Sequence, residues 1–301
     1  MKLAITGGTG FVGSRLLSLA VEQGHEVMAL TRRSQNERCG VTWVQGALDS
    51  RLALQRLVEH ADAVIHVAGV ISAPDAASFE AGNVAGTLGL LAAATASGVH
   101  RFVHVSSLAA REPKLSLYGA SKARSEELVQ RSGLDWAIVR PPAVYGPGDR
   151  ETLDLFKAAR MGLIPLPPRG RISLIHADDL SRLLLALAAP DAPSKLVVEP
   201  DDGREEGWTH REFAAALAAA QDRRALALAV PASLVRLGAS IDGLLRRGKA
   251  KLTPDRAAYF CHPDWTVDPA RRPPESLWRP QVASAAGLAD TARWYSQQGW
   301  L

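Results

Sequence analysis

The stretch KLAITGGTGFVGSRLL, near the start of the chain, most constrains what this protein can fold into. A short apolar run at 2–6 leads into a glycine-rich turn, and a helical pattern of apolar residues follows at 13–24. Gly7, Gly10 and Gly13 occupy the turn with a G-x-x-G-x-x-G spacing. A strand, a tight turn and a helix in this order predict the first βα unit of an α/β fold.

The rest of the first half continues this alternation. We predict strands at 26–32, 41–46, 62–69 and 101–107, a strand followed by a Pro/Gly turn at 135–146, and helices at 52–60, 83–98 and 119–133. Strands that alternate with helices indicate a parallel sheet with helices on both faces. Since such crossovers are right-handed, the predicted fold class is α/β, a Rossmann-type doubly wound parallel sheet with a small C-terminal substrate-binding lobe.

The pattern becomes less regular after about residue 150, and we place a boundary near residue 165. Residues 1–165 are predicted to form the Rossmann domain, to which about 173–200 return, and 166–301 mainly the substrate lobe. The later elements are predicted as a Pro-rich loop at 162–173, a strand at 194–200, and helices at 176–189, 209–221 and 231–251. The helix at 209–221 opens with a capping-box pattern, Thr209 three residues before Glu212.

Composition excludes several classes of function. The net charge of +4 is spread along the 301 residues, so we expect no nucleic-acid partner. Cys39 and Cys261 lack metal-ligand spacing, and His66 and His104 lie inside apolar strands, so no metal site is expected. The sequence shows neither a signal segment nor an apolar run long enough to span a membrane, and we expect a cytoplasmic protein.

Each glycine of the opening turn has a physical role in binding a dinucleotide. Gly7 allows the tight turn, Gly10 lets the backbone approach a pyrophosphate, and Gly13 lets helix and strand pack closely. Free amide groups at the start of the helix then face the phosphates. The predicted loop set is Gly7, Thr9, Gly10, Phe11, Val12 and Gly13. The alternative is a turn with a structural role alone.

The end of the second strand indicates which dinucleotide binds. Enzymes that prefer NAD usually carry an acidic residue there for the ribose 2′-hydroxyl. This chain has Thr31, Arg32 and Arg33 instead, and arginine side chains suit a 2′-phosphate. We therefore predict NADP as the cofactor, with NAD as the alternative. A solvated arginine pair without a ligand is the competing interpretation.

The segment VSSLAAREPKLSLYGASKA supplies candidates for acid–base chemistry. Tyr118 and Lys122 are four residues apart and share one face of a helix. A tyrosine has an ordinary pKa of about 10, and we expect the lysine ammonium and an oxidised nicotinamide to lower it. Lys122 can also hold the nicotinamide ribose, and Ser107 can hydrogen-bond the substrate oxygen. Ser106 competes with Ser107, since only one of two successive strand residues can face the site.

These motifs together make the chain resemble an extended short-chain dehydrogenase/reductase of the NAD(P)-dependent epimerase/dehydratase superfamily. The matching segments are TGGTGFVG, VIHVAG, NVAGT, VSS, YGASK, RPPAVYGPGD and HADDL. The resemblance implies that Asn83 holds the central sheet and a helix near the site, and Asn83 is also a candidate substrate contact. It further implies cofactor contacts at Val67, Ala68, Gly69, Pro141, Ala143 and Val144, and a junction with the substrate lobe at His176 and Asp179.

Two departures from the family pattern bear on ligands. The family usually has an acidic residue for the adenine amine where this chain has Ala47, so either backbone groups near Leu48 or the carboxylate of Asp49 are predicted to hold the adenine. The segment LAAREP replaces a V-Y-G segment common in sugar-nucleotide enzymes, which disfavours a sugar-nucleotide substrate. Arg150 and Arg171 are further candidates for substrate contacts, with solvated or structural roles as alternatives.

The favoured function is an NADP-dependent oxidoreductase that interconverts an alcohol and a carbonyl on a small or lipophilic organic molecule. A sugar-nucleotide epimerase or dehydratase that returns the hydride is one alternative, and a non-catalytic dinucleotide-binding scaffold or sensor is another. A homodimer is a candidate assembly, since related proteins often pair through helices next to the Tyr–Lys helix.

The helix predicted at 231–251 carries an apolar face and a basic end. The apolar residues are Leu234, Leu237, Ile241, Leu244 and Leu245. We expect this face to pack over the substrate cleft of the enzyme, and we do not expect membrane contact. The alternative is that the face meets a membrane and admits a lipophilic substrate.

Overall fold

The strand–turn–helix unit predicted at the N-terminus is present in the computed structural model, where β1 (Lys2–Thr6) leads through the glycine turn into α1 (Phe11–Glu22). The structure describes residues 1–246 and 253–301. These form two units, each assembled from three stretches of chain. Unit 1 contains Met1–Pro141, Asp178–Glu199 and Pro273–Arg279, and unit 2 contains Pro142–Ala177, Pro200–Arg272 and Pro280–Leu301.

Unit 1 is built around a seven-stranded parallel sheet with the strand order β11-β6-β5-β4-β1-β2-β3. Its strands after β1 are β2 (Glu26–Thr31), β3 (Val41–Gln45), β4 (Ala63–His66), β5 (Arg101–Val105), β6 (Asp135–Val139) and β11 (Leu196–Val198). Its helices after α1 are α2 (Arg51–Val58), α3 (Ala76–Phe79), α4 (Gly86–Ala96), α5 (Leu117–Gln130) and α7 (Ala177–Ala188). The first residue of α7, Ala177, is assigned to unit 2. A π-helical turn at Glu80–Ala85 joins α3 to α4, and a 3₁₀ turn at Leu108–Arg111 precedes α5.

The sheet has the Rossmann-type doubly wound topology that the alternation predicted. Leu3 of β1 is aligned in parallel with Val27 of β2 on one side and with Ala63 of β4 on the other. Leu3 and Ile5 on one face and Ala4 on the other are all fully buried, as expected of a strand covered by helices on both faces of the sheet. The sequence therefore predicted the fold class correctly.

Unit 2 consists of short strands and helices around its own apolar core. Its strands are β7 (Ala143–Tyr145), β8 (Leu163–Leu166), β9 (Arg171–Ile172), β10 (Leu174–His176), β12 (Trp208–Thr209), β13 (Leu226–Ala229) and β14 (Asp264–Trp265). Its helices are α6 (Leu153–Arg160), α8 (His210–Ala219), α9 (Ala232–Arg246), α10 (Pro254–Phe260) and α11 (Ser284–Gln297), with a 3₁₀ turn at Pro269–Arg271. Phe156, Leu217 and Tyr295 lie fully buried in this core.

Two predictions for the second half of the chain need comment. The prediction of a loop at 162–173 was wrong, because the segment contains β8, which pairs in parallel with β13. Pro165 is tolerated there since β8 belongs to a two-stranded sheet and a proline at an open edge removes no ladder hydrogen bond. The capping box was predicted correctly, since the Thr209 side chain accepts from the Glu212 amide while the Glu212 carboxylate accepts from the Thr209 amide.

Candidate functional site

The site predicted from the sequence lies at the carboxyl edge of the unit 1 sheet, where the strand order reverses between β1 and β4. The glycine turn after β1 meets the loop after β4 here, because a Cβ added to Gly7 would lie 2.7 Å from the Ala68 amide nitrogen. Ala68 in turn donates its N–H to the Thr6 hydroxyl at 3.2 Å. Ligands of open α/β sheets bind in the crevice at such a reversal.

The glycine turn has the shape that a pyrophosphate needs. Gly7 has a φ of +76°, and a Cβ added to Gly13 would lie 2.0 Å from the Gly7 carbonyl oxygen, so neither position accepts a larger residue. A Cβ added to Gly10 would meet only the Gly7 oxygen, at 3.3 Å, so the space above this residue is open toward the amino end of α1. The residues present therefore fit a dinucleotide whose phosphates face the first turn of α1.

The end of β2 presents two cationic side chains beside the glycine turn. Thr31 is buried and donates its hydroxyl to the Arg33 carbonyl oxygen at 2.7 Å, which fixes the backbone of this turn. Arg32 and Arg33 are exposed and form no ion pair with any other residue that the structure describes. Leu48 packs against Gly86 of α4, whereas Asp49 is exposed. Both arginines are thus accessible to a ligand.

Two buried histidines lie in β4 and β5, next to the carboxyl edge of the sheet. The His66 ring lies between the Thr6 and Thr87 hydroxyls at 2.6 and 3.0 Å, and His104 lies 3.0 Å from the Ser125 hydroxyl. Burial lowers the pKa of His66 to about 3, and it also lowers the pKa of His104. Both side chains are therefore neutral hydrogen-bonding groups of the sheet, and the described residues contain no cluster suited to a metal ion.

Successive serines at the end of β5 face different partners, as strand alternation requires. Ser106 donates its hydroxyl to Glu126 Oε1 at 2.5 Å. Ser107 accepts the Ala109 N–H at 3.2 Å, and its side chain lies near enough to Tyr118 to lower the pKa of that phenol. The structure therefore brings Ser107, and not Ser106, together with Tyr118.

Tyr118 lies in the first turn of α5, which the Ser116 side chain caps by accepting the Gly119 N–H at 2.9 Å. Its ring lies 6.2 Å from the ring of buried Phe79. Burial raises the pKa of Tyr118, and the Ser107 side chain opposes this shift only in part. Burial disfavours the phenolate and outweighs the effect of Ser107, while the lowering of the pKa expected with an oxidised nicotinamide bound stays a prediction.

Lys122 lies one helical turn after Tyr118 and is buried. Its ammonium donates to the Val105 carbonyl oxygen at 2.7 Å, and a Cβ added to Gly69 would lie 3.7 Å from Nζ. Burial lowers the pKa of Lys122 to about 8, although the charge of Glu126 opposes the shift. The lysine thus connects α5 with the ends of β5 and β4.

A buried network of charges next to this lysine was missed by the sequence analysis. Arg140 holds both oxygens of Glu126 at 2.9 and 2.6 Å, and it also donates to Glu199 at 3.4 Å. Arg111 donates to the second oxygen of Glu199 at 3.2 Å. Through Ser106, this network fixes the end of β5 that carries Ser107. The signal for it was the spacing of Glu126, four residues after Lys122 on the same helical face.

Asn83 joins the loop after β4 to α5. Its Oδ1 accepts the Val70 N–H at 2.6 Å, and its Nδ2 donates to the Val70 carbonyl and to the Ser121 hydroxyl at 2.9 and 2.8 Å. Because these bonds use both ends of the buried amide, the geometry favours a positioning role over substrate contact for Asn83. The residue lies in the π-helical turn, a feature often found at functional sites.

The other residues predicted to contact the cofactor, the substrate or the substrate lobe are distributed over both units. In unit 1, Pro141 accepts the Leu108 N–H at 3.1 Å, and Asp179 pairs with Arg182 at 2.6 Å. In unit 2, Ala143 and Val144 lie in β7, and His176 lies in β10 next to the Tyr145 ring. Arg150 lies over the Trp300 ring at 4.7 Å, and Arg171 pairs with Glu206 at 2.6 Å. Both arginines thus have partners within unit 2.

Among the described residues, no helix is long and apolar enough to cross a bilayer. The prediction for the helix at 231–251 is tested in part, since α9 ends at Arg246 and the segment 247–252 lies outside the described residues. Leu234, Leu237 and Ile241 are 55%, 55% and 49% exposed, so the expected packing of this face over a cleft is wrong for these three side chains. Nothing is described for the Leu244 and Leu245 side chains.

Comparisons with known proteins identify the family and the fold of this chain. The model of the NAD-dependent epimerase/dehydratase family matches residues 3–198. A ceramide reductase of Caulobacter vibrioides is 36% identical over 99% of this chain and 96% of its own length. A 2-alkyl-3-oxoalkanoate reductase of Stenotrophomonas maltophilia is 29% identical, covering 96% of this chain and 97% of its own. The structure of the Bordetella bronchiseptica enzyme WbmH in complex with NAD+ shares the fold, with a TM-score of 0.78 and 18% identity over 99% of each chain.

Proposed function

The chain belongs to the NAD-dependent epimerase/dehydratase family, and we propose that within it this enzyme is an NADP-dependent reductase of a ketone on a lipophilic molecule. The observation that carries the proposal is geometric: one turn after Tyr118 on α5, the buried Lys122 ammonium donates to the Val105 carbonyl oxygen and lies beside Gly69, at the strand end that leads to Ser107. A tyrosine that keeps its proton at neutral pH is a general acid, which is what the reduction of a carbonyl requires.

The chemistry assigned to the three side chains follows from their contacts. The reduced cofactor, when bound, supplies the hydride. Ser107 and Tyr118 would both donate to the carbonyl oxygen, and Tyr118 would pass its proton to that oxygen as the alcohol forms. The phenolate that remains is stabilised by the positive charge of Lys122 one turn away. Lys122 is also suited to hold the ribose, since its ammonium lies beside Gly69.

The choice of NADP over NAD rests on the end of β2. Arg32 and Arg33 are exposed, and β2 ends on Thr31 where NAD enzymes of this fold usually carry an acidic residue. A guanidinium group pairs well with a 2′-phosphate and poorly with a bare hydroxyl. The glycine turn and the amino end of α1 would hold the pyrophosphate of either cofactor.

The substrate class is proposed from two relatives that match almost the whole chain. They are named for a ceramide and for a 2-alkyl-3-oxoalkanoate, which are molecules with alkyl chains. A second candidate is a sugar-nucleotide epimerase, because a UDP-glucose 4-epimerase of Vibrio cholerae is 28% identical over 76% of this chain. The segment LAAREP after Ser107 favours the reductase, since sugar-nucleotide enzymes of the family commonly have a V-Y-G segment at this position.

A substrate panel monitored by nicotinamide absorbance tests the proposal. We expect 2-alkyl-3-oxoalkanoates of increasing chain length to consume NADPH in equal amounts with the alcohol formed, and longer chains to lower KM. UDP-glucose serves as the comparison substrate. Conversion of UDP-glucose without net change in absorbance, together with no turnover of the oxoalkanoates, would establish the epimerase instead.

A further inference from the structure

The exposed apolar residues of the described chain are concentrated in one part of unit 2. Seven of the thirteen exposed large apolar side chains belong to β8, β13 and α9 or to the position two residues before β8. We call this set the apolar face: Met161, Leu163, Leu226, Leu228, Leu234, Leu237 and Ile241, which are 45% to 80% exposed. Scattered exposed leucines need no explanation, but a concentration of this kind indicates a surface that meets an apolar partner.

The strand part of the apolar face departs from the usual pattern of a two-stranded sheet. Ile164 and Leu166 of β8 are buried in the core of unit 2, and the alternate residues therefore point outward. On the outer side Leu163 is aligned with Leu226 and Pro165 with Leu228. An outer sheet face normally carries polar residues, whereas this one is apolar across both strands.

The helix part continues the same surface along the chain. Only Val230 and Pro231 separate β13 from α9. Leu234, Leu237 and Ile241 follow at the spacing of one helical face, while Ala239 on another side of the helix is buried. The apolar face thus continues along the chain from β13 into a helix that packs against α10 of unit 2.

Basic residues flank each part of the apolar face. Lys157 and Arg160 precede Met161, Arg223 and Arg224 precede Leu226, and the exposed Arg236 lies between Leu234 and Leu237. Residues 222–246 contain four Arg and two Asp, a net charge of +2.

We propose that the apolar face and its flanking cations dock this enzyme on the surface of an anionic lipid bilayer. The leucines would enter the boundary between headgroups and acyl chains, and the cations would contact lipid phosphates. Charge complementarity favours this partner over a second copy of the chain, since two such surfaces would place their cations against each other. The proposal goes beyond the reductase function and does not depend on it, because binding is measured without turnover.

Co-sedimentation of the full-length protein with lipid vesicles tests the proposal. We expect pelleting with vesicles of phosphatidylcholine and phosphatidylglycerol at low salt, little with phosphatidylcholine alone, and a loss of at least about tenfold in the Leu237→Glu/Ile241→Glu double variant. Arg223→Glu/Arg224→Glu should weaken binding to the anionic vesicles, and high salt should weaken it further. Leu52→Glu is the matched control, since Leu52 is an equally exposed leucine, at 59%, on α2 of unit 1.

Several outcomes would overturn the docking surface. These are no pelleting of the wild type, equal pelleting of the double variant, or equal loss in Leu52→Glu. Light scattering of the soluble protein checks the competing partner, because a dimer that the double variant dissociates would assign the apolar face to a second copy. Thermal unfolding confirms that each variant folds, and Leu234→Gln replaces the double variant should that one unfold.

Discussion

The carboxyl edge of the unit 1 sheet and the apolar face of unit 2 are built on opposite principles. At the sheet edge, polar side chains such as Lys122 and Glu126 are buried, and each is held by named partners. On the apolar face, leucines are exposed and flanked by cations such as Arg223 that pair with no other described residue. A buried polar group costs free energy unless it is paired, so the first region must be specified residue by residue.

This difference explains why one region carries motifs and the other does not. A catalytic edge tolerates few residue types at each position, and so Tyr118 and Lys122 can be recognised by spacing. A surface that meets lipid or a lipophilic substrate needs only apolar side chains and nearby charge, which many sequences provide. The predictions below test the sheet edge, where single side chains are expected to have large effects, in order of decreasing effect.

The largest effect is expected at the phenol. Tyr118→Phe removes the proton donor and should lower kcat for ketone reduction by about 10³-fold, because general acid catalysis is typically of that size. NADPH affinity should change little, and a fluorescence titration of the bound nicotinamide serves as the control. A variant that keeps wild-type kcat would show that another group donates the proton.

The next effect concerns the buried charge network. Glu126→Gln removes a carboxylate that Arg140 holds with two hydrogen bonds, and it should lower the free energy of unfolding by about 3 kcal/mol, a factor of about 150 in the folding equilibrium. Urea denaturation measures the change. The adjacent Glu127→Gln is a matched control. Glu127 is exposed and forms a loose ion pair with Arg131 at 3.9 Å, so the loss of unfolding free energy should be below about 0.5 kcal/mol. Equal costs would show that the network contributes no stability.

Cofactor choice should show a smaller effect. Arg32→Ala/Arg33→Ala removes two cations from the end of β2 and should weaken NADPH binding by about 30-fold while NADH binding stays within about twofold. Isothermal titration of both cofactors is the measurement. Arg38→Ala, which removes a nearby arginine that donates to Ser18, is the control. Equal losses for NADPH and NADH would remove the argument for a 2′-phosphate site.

The smallest effect is the dependence of reduction on pH. Lys122 has a pKa of about 8 and loses its charge as pH rises through that value, whereas Tyr118, whose pKa is raised, keeps its proton. We expect kcat/KM for reduction to be flat below about pH 7 and to fall by up to about tenfold per pH unit above about pH 8. Lys122→Arg should move the fall to higher pH. A profile in wild type that stays flat to about pH 10 would show that the charge of Lys122 does not support the reaction.

Local chemistry predicted much of the site. The turn at Gly7 and Gly13 needs residues without a Cβ, and the spacing of Tyr118 and Lys122 requires only a helix, so both could be read without knowledge of packing. The direction of the Tyr118 pKa shift could not be predicted from the sequence, because it depends on how deeply packing buries the hydroxyl. The roles of these residues in cofactor and substrate binding stay predictions that the experiments above test.

By itself, the sequence determined the βα order, the parallel doubly wound sheet and the position of the glycine turn, because these follow from periodicity and from the steric freedom of glycine. Only the tertiary structure decided that Ser107 rather than Ser106 meets Tyr118, that Arg140 joins Glu126 to Glu199, and that Leu237 is exposed. Residues distant in sequence come together only when the sheet has formed, and burial is a property of the whole packed unit, not of any local pattern.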